Sequence, residues 1–250
     1  MLIVFLTAVG VGGATVIGAL IGFLFKGLSH KFSNLIVSFA AGIMLSAAVF
    51  GLILPSVEYG GGFGVIIAVF GILIGGVCIN LSDRLVPHIQ KIAAMGSEGE
   101  QDGKKARGVL LFVIAIGIHN LPEGIAAGVG FGSGDIQNAM LIASGIALHN
   151  IPEGMVIISP MLAAGISPKK TFIFALITGF AEVVGTVIGY FAVSFASAIL
   201  PFALAFAGGT MLYVISEEMI PETHASGDEC KVTYAFLCGF CAMLVLDAVM

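Results

Sequence analysis

Phe63-Gly64-Val65-Ile66-Ile67-Ala68-Val69-Phe70-Gly71-Ile72-Leu73-Ile74-Gly75-Gly76-Val77-Cys78-Ile79-Asn80-Leu81-Ser82 runs for twenty residues without a charge. At about 1.5 Å per residue, a helix of that length spans the roughly 30 Å hydrocarbon core of a bilayer. The pattern recurs. Gly, Pro and charge divide the chain into eight apolar runs, at 2–25, 34–54, 63–83, 108–130, 137–163, 171–197, 200–220 and 232–250. Barrel strands are shorter and alternate in polarity, and in lipid only a helix satisfies its backbone groups within one segment. The expected fold class is an all-α polytopic membrane protein with eight transmembrane helices, a single domain over residues 1–250. Met1-Leu2-Ile3-Val4-Phe5 carries no basic region and reads as the start of the first span.

Composition leads to the same class. Hydrophobic residues make up 58% of the chain and charged residues 10%, against about 25% charged in a soluble domain. A chain with a mean hydropathy of +1.11 cannot cover a water-facing surface. Its partner is the lipid bilayer, and its expected location is the cell membrane. A net charge of −5 and ten scattered Lys and Arg exclude a nucleic-acid binder with a basic stripe. No GxxxxGK[ST] loop supplies ATP hydrolysis. The four cysteines, Cys78, Cys230, Cys238 and Cys241, lie mostly in apolar runs and form no disulfide framework. Cys238 and Cys241 form a CxxC without the two further ligands that a structural zinc site needs.

The basic residues also set an orientation. Lys26 and Lys31 follow span one; Arg84, Lys91, Lys104, Lys105 and Arg107 lie between spans three and four. Lys169 and Lys170 follow span five, and Lys231 precedes span eight. With eight spans, all ten fall in loops on one side. By the positive-inside bias that side is cytoplasmic, which predicts both termini outside. Residues 84–107, with Gly96-Ser97-Glu98-Gly99-Glu100-Gln101-Asp102-Gly103 at their centre, read as a cytoplasmic loop in which only His88 binds metal readily. Glycines spaced four apart (Gly18/Gly22, Gly71/Gly75, Gly124/Gly128, Gly185/Gly189) predict close helix packing.

Two consecutive spans carry one hexapeptide. Span four contains His119-Asn120-Leu121-Pro122-Glu123-Gly124 and span five His149-Asn150-Ile151-Pro152-Glu153-Gly154, thirty residues apart. His at i and Glu at i+4 lie on one helix face and can grip one ion. Asn at i+1 sits about 100° around, in reach of a neighbouring ion or a water. Proline removes an N–H and frees the carbonyl of Ile118 or Leu148, exposing polar backbone to a cavity. Two antiparallel spans then supply two His and two Glu. An ionised residue at mid-membrane costs roughly 2.5–3.5 kcal/mol, and no span holds a Lys or Arg to pair with Glu123 or Glu153. A divalent cation or a proton must neutralise them. Glu182 in span six is a third such acid, a candidate bridging ligand. Met44 in span two reads by itself as packing. Glu217, Glu218 and His224 at the end of span seven fit either a metal exit site or a solvated helix end.

With these motifs in place, the chain resembles a bacterial member of the ZIP (Zrt/Irt-like) family of divalent-metal transporters. The likeness covers all eight spans. It extends to Ala40-Ala41-Gly42-Ile43-Met44-Leu45 of span two and Glu218-Met219-Ile220-Pro221-Glu222 of span seven. The resemblance implies an inverted repeat, spans one to three against six to eight around a central pair, and a sliding, elevator-like motion. It implies a two-metal site: His119, Glu123, His149 and Glu153 for one ion, with Met44 as a soft ligand. Asn120, Asn150 and Glu182 would serve the second, with Glu123 and Glu153 bridging. Relatives with Gln and Asp in place of His149 and Asn150 have a more anionic second site.

The donor set suits Zn²⁺ first and also Fe²⁺, Mn²⁺ and Cd²⁺, and serves Cu(I) poorly without thiolates. The expected function is import of divalent metal into the cytoplasm without ATP. The competing readings are an intramembrane metal-dependent hydrolase, which wants HExxH with a free Glu as base, and a metal channel or sensor without alternating access. A homodimer is the protein partner that exposed small-residue faces would accommodate.

Overall fold

A computed structural model describes residues 1–24, 30–94, 117, 119–163, 165–225 and 229–249. These residues are helical almost throughout, with no strand among them. Seven of the helices are long and apolar enough to cross a membrane. The described part of the expected fourth span, helical over 119–132, lies between the third and fourth of those seven. This is a multi-pass, all-α membrane protein.

In chain order the helices are α1 (Leu2–Leu24), α2 (His30–Ser46), a π-helical turn (Ala47–Ile53) and α3 (Leu54–Tyr59). Next come α4 (Gly64–Ala94), α5 (119–132), α6 (Ile136–Ala163) and α7 (Pro168–Phe195). After them lie α8 (Leu200–Val214), a second π turn (Ile215–Met219), α9 (Ile220–His224) and α10 (Glu229–Val249). Two boundaries differ from the apolar runs. α4 continues through Arg84 to Ala94, inside the stretch read as loop; the loop's centre, Gly96 to Gly103, lies outside the described residues, as do Lys26, Lys104, Lys105 and Arg107. Span two runs on through Pro55 to Tyr59, because the helix widens instead of stopping.

The widening has a local cause. Proline lacks an N–H and its ring crowds the carbonyl four residues back. Just before Pro55, the N–H of Leu54 bonds Val49 O, five residues back. Just before Pro221, the N–H of Ile220 bonds Ile215 O in the same register. A π turn lets the chain pass proline without losing its axis. α2 and α8 share this sequence of local structures and run in opposite directions, since Asn34 near the start of α2 donates to Thr223 O in α9.

Two bundles result. α1 packs most extensively on α6 and α7, α4 on α8, and α2 on α10. Within each bundle glycines bring backbones together. An added Cβ on Gly12 would strike Gly179 O, on Gly128 Thr186 O, on Gly42 Phe236 O and on Gly209 Ile72 O. α1, α5, α6 and α7 thus form one bundle, and α2, α4, α8 and α10 the other. Where the bundles meet, glycine faces side chains instead: Gly51 faces Ile142, and Gly145 faces Met243 and Ala47. Leu52, Ala127, Ile142, Ile146, Leu204 and Ala207 fill this interface with a continuous apolar core.

Candidate metal centre

α5 and α6 position the two hexapeptides inside the protein. His119, Glu123 and His149 are buried, and Glu153 is partly buried. Glu123, His149 and Glu153 each bring one ligand atom within 4.8 Å of the others, the sole such metal-binding group among the described residues. His149 Nε2 lies 3.0 Å from Glu123 Oε2, and its Nδ1 faces Gly145 O at 3.3 Å. With Nδ1–H donating to that carbonyl, a neutral ring turns its Nε2 lone pair toward a carboxylate oxygen. Two lone pairs facing one another repel until a cation or proton joins them. One carboxylate oxygen of Glu153 is buried without a hydrogen-bond partner, a further acceptor aimed at the same place.

The group lines a cavity that is partly open to the outside. Its wall includes Val37, Ala40 and Met44 of α2, Val156 of α6, Glu218 and Met219 of the second π turn, and Glu222 of α9. These climb α2 from its His30 end, so the cavity opens toward the side where Lys31 and Lys231 begin their helices. On the other side of the ligands the apolar core between the bundles closes the path. Met44 is fully buried in the cavity wall.

The structure brings in one residue that sequence left open. Glu218 Oε1 lies 3.2 Å from His119 Nε2, with 40% of its side chain exposed, at the cavity mouth. Glu217 is exposed and outside the cavity lining. His224 is half-buried and bonds Ile220 O (2.9 Å) and Thr233 Oγ1 (3.3 Å). The π turn before Pro221 is what swings Glu218 inward. An acid one turn before a proline was the available signal, but i, i+4 spacing does not register a π turn. Cys78, Cys230, Cys238 and Cys241 are exposed free thiols.

Asn120, Asn150 and Glu182 are buried next to the centre but do not line its cavity. Both amides donate to the Glu182 carboxylate, Asn120 Nδ2 at 2.6 Å.

A family model described as ZIP Zinc transporter matches residues 91–247, more than half of the chain. The chain belongs to the ZIP family. Among its relatives, a zinc transporter named GufA from Myxococcus xanthus is 40% identical over 94% of both chains. Human zinc transporter ZIP11 is 32% identical over 94% of this chain and 93% of its own length. Zinc transporter ZIPB of Bordetella bronchiseptica is 32% identical, covering 94% of this chain and 77% of the relative. These relatives are named for transport, not catalysis.

Proposed function

We propose that the chain carries Zn²⁺ into the cytoplasm by alternating access, with the bundle α1, α5, α6 and α7 moving against the other and the ion held on the moving part. The observation that carries this reading is a buried His–Glu centre at the bottom of a cavity open to one side and sealed on the other by apolar packing. His119, Glu123, His149 and Glu153 hold the ion, and Met44 approaches it from the other bundle. Two carboxylates neutralise one dication, removing the cost of burying either charge alone. The ligands come from both hexapeptides of one bundle, so the centre can travel without being dismantled. Side-chain contacts across the bundle interface, in place of interlocked backbones, suit sliding. Fe²⁺, Mn²⁺ and Cd²⁺ share the donor preference and compete as cargo, with Zn²⁺ favoured over Fe²⁺ and Mn²⁺ by intrinsic affinity. The positive-inside bias puts the open mouth on the cytoplasmic side and both termini outside, and a metal gradient directed inward makes the net movement import.

Uptake of ⁶⁵Zn into proteoliposomes tests this. Saturable uptake by the wild type, lost in Glu123→Ala and His149→Ala while both variants still insert, is the expected result. Uptake retained in both variants sinks the reading, and uptake that never saturates favours a channel.

A further inference from the structure

The hexapeptide has a second face. Asn120 and Gly124 stand one turn apart, as do Asn150 and Gly154, rotated about 100° from the His–Glu face. On this face an added Cβ on Gly124 would strike Glu182 O, and one on Gly154 would strike Thr15 O. The asparagines therefore share a face with the glycines that join helices, not with the residues that line the cavity.

Glu182 is the centre of that join. It is fully buried. Its Oε1 accepts from Thr15 Oγ1 and Asn120 Nδ2, each at 2.6 Å, and its Oε2 accepts from Asn150 Nδ2. Asn150 Nδ2 also reaches Val11 O at 3.3 Å. Donors from α1, α5 and α6 thus converge on one carboxylate of α7, with donors on both of its oxygens. Glu123, His149 and Glu153 approach each other closely enough to share an ion; neither His119 nor Glu182 is in that group, but His119 lines the cavity and Glu182 does not.

We infer that Glu182 is a positioning residue, a hub that binds α1, α5, α6 and α7 into one body around a single-ion centre. Asn120 and Asn150 serve it as donors and do not ligate a second ion. This rests on the transport reading, because it names what keeps the site intact as it moves. It also departs from the two-ion arrangement that the family likeness implies.

The test counts ions. Metal-free full-length protein in lipid nanodiscs is equilibrated with Zn²⁺, and bound metal per chain is measured by mass spectrometry, together with Tm. The wild type is expected to bind one ion. Glu182→Gln is expected to bind one as well, with affinity lowered by no more than about tenfold, the low end for groups outside the ligand shell. The Oδ1 of Asn150 is buried without a partner, so this amide can turn over and accept from the new glutamine. Thr15→Val is expected to lower Tm and leave the count at one. Two ions per wild-type chain, falling to one in Glu182→Gln, would overturn the proposal. A count falling from one to zero in a Glu182→Gln protein of unchanged Tm would overturn it too, by making Glu182 a ligand of the first ion. A wild-type count of zero would instead remove the transport reading on which the proposal stands. The wild-type count needs no variant, so a misfolded substitution does not spare the idea.

Discussion

His149 and Glu123 face each other 3.0 Å apart with acceptor against acceptor whenever both are ready to bind metal. Binding needs the imidazoles neutral and the carboxylates ionised, so protons compete with the ion for every ligand. Zn²⁺ affinity is expected to fall as pH drops from 7.5 to 5.5, with protons released on binding at the higher pH. Calorimetry in two buffers of different ionisation enthalpy measures that release, and a pH-independent affinity would contradict the ligand set. Glu218 touches His119 from the mouth, so Glu218→Gln is expected to preserve the ion count while slowing uptake. An unchanged uptake rate would confine Glu218 to solvated surface. The meeting of His149 and Glu153 on one face was legible in the sequence, because residues at i and i+4 of a helix project together. The role of the asparagines was not legible, since their donors meet a carboxylate on a helix distant in sequence.

At the scale of elements, glycine sets the distances. Gly154→Ala forces a methyl onto Thr15 O, and overpacking of this kind costs on the order of 1–3 kcal/mol. A lowered Tm is expected, and an unshifted one would mean that the helices part freely. The glycine pairs were readable as packing signals, and Gly124, Gly128, Gly185 and Gly189 all serve the α5–α7 contact. Span ends were read less well at Pro55, where a break was expected and a π turn carries the helix through. Pro55 has no N–H to offer Gly51 O, four residues back. Asn138 Nδ2 of α6 approaches it at 3.3 Å, while Asp135 Oδ1 accepts the Asn138 N–H at 3.0 Å. This bond ties the two bundles on the sealed side. Asn138→Leu is expected to favour opening of that side by about 0.5–1.5 kcal/mol, the net worth of one hydrogen bond. Thiol labelling of a cysteine placed at Leu204, in an otherwise cysteine-free chain, measures the opening.

For the whole molecule, the division into bundles decides what can move. A Cβ built at Gly145 lies 3.0 Å from that of Ala47 across the interface, so cysteines at both positions need only a small shift to bridge. The oxidised pair is expected to bind Zn²⁺ from the open side yet fail to transport it, with reduction restoring uptake. Full uptake in the bridged protein would rule out relative motion of the bundles there. The eight-span plan was legible because length and polarity fix it, whereas the grouping of spans into two bodies depends on which glycine meets which backbone. The chain crosses from one body to the other three times, the last time at residues 196–199. The last passage joins Phe195 to Leu200, and five Cα–Cα steps reach at most about 18 Å when drawn straight. A carriage on so short a leash cannot cross the membrane's full thickness. The ion's journey must therefore be completed by water reaching inward from each face in turn, to a centre that itself shifts by a fraction of the bilayer.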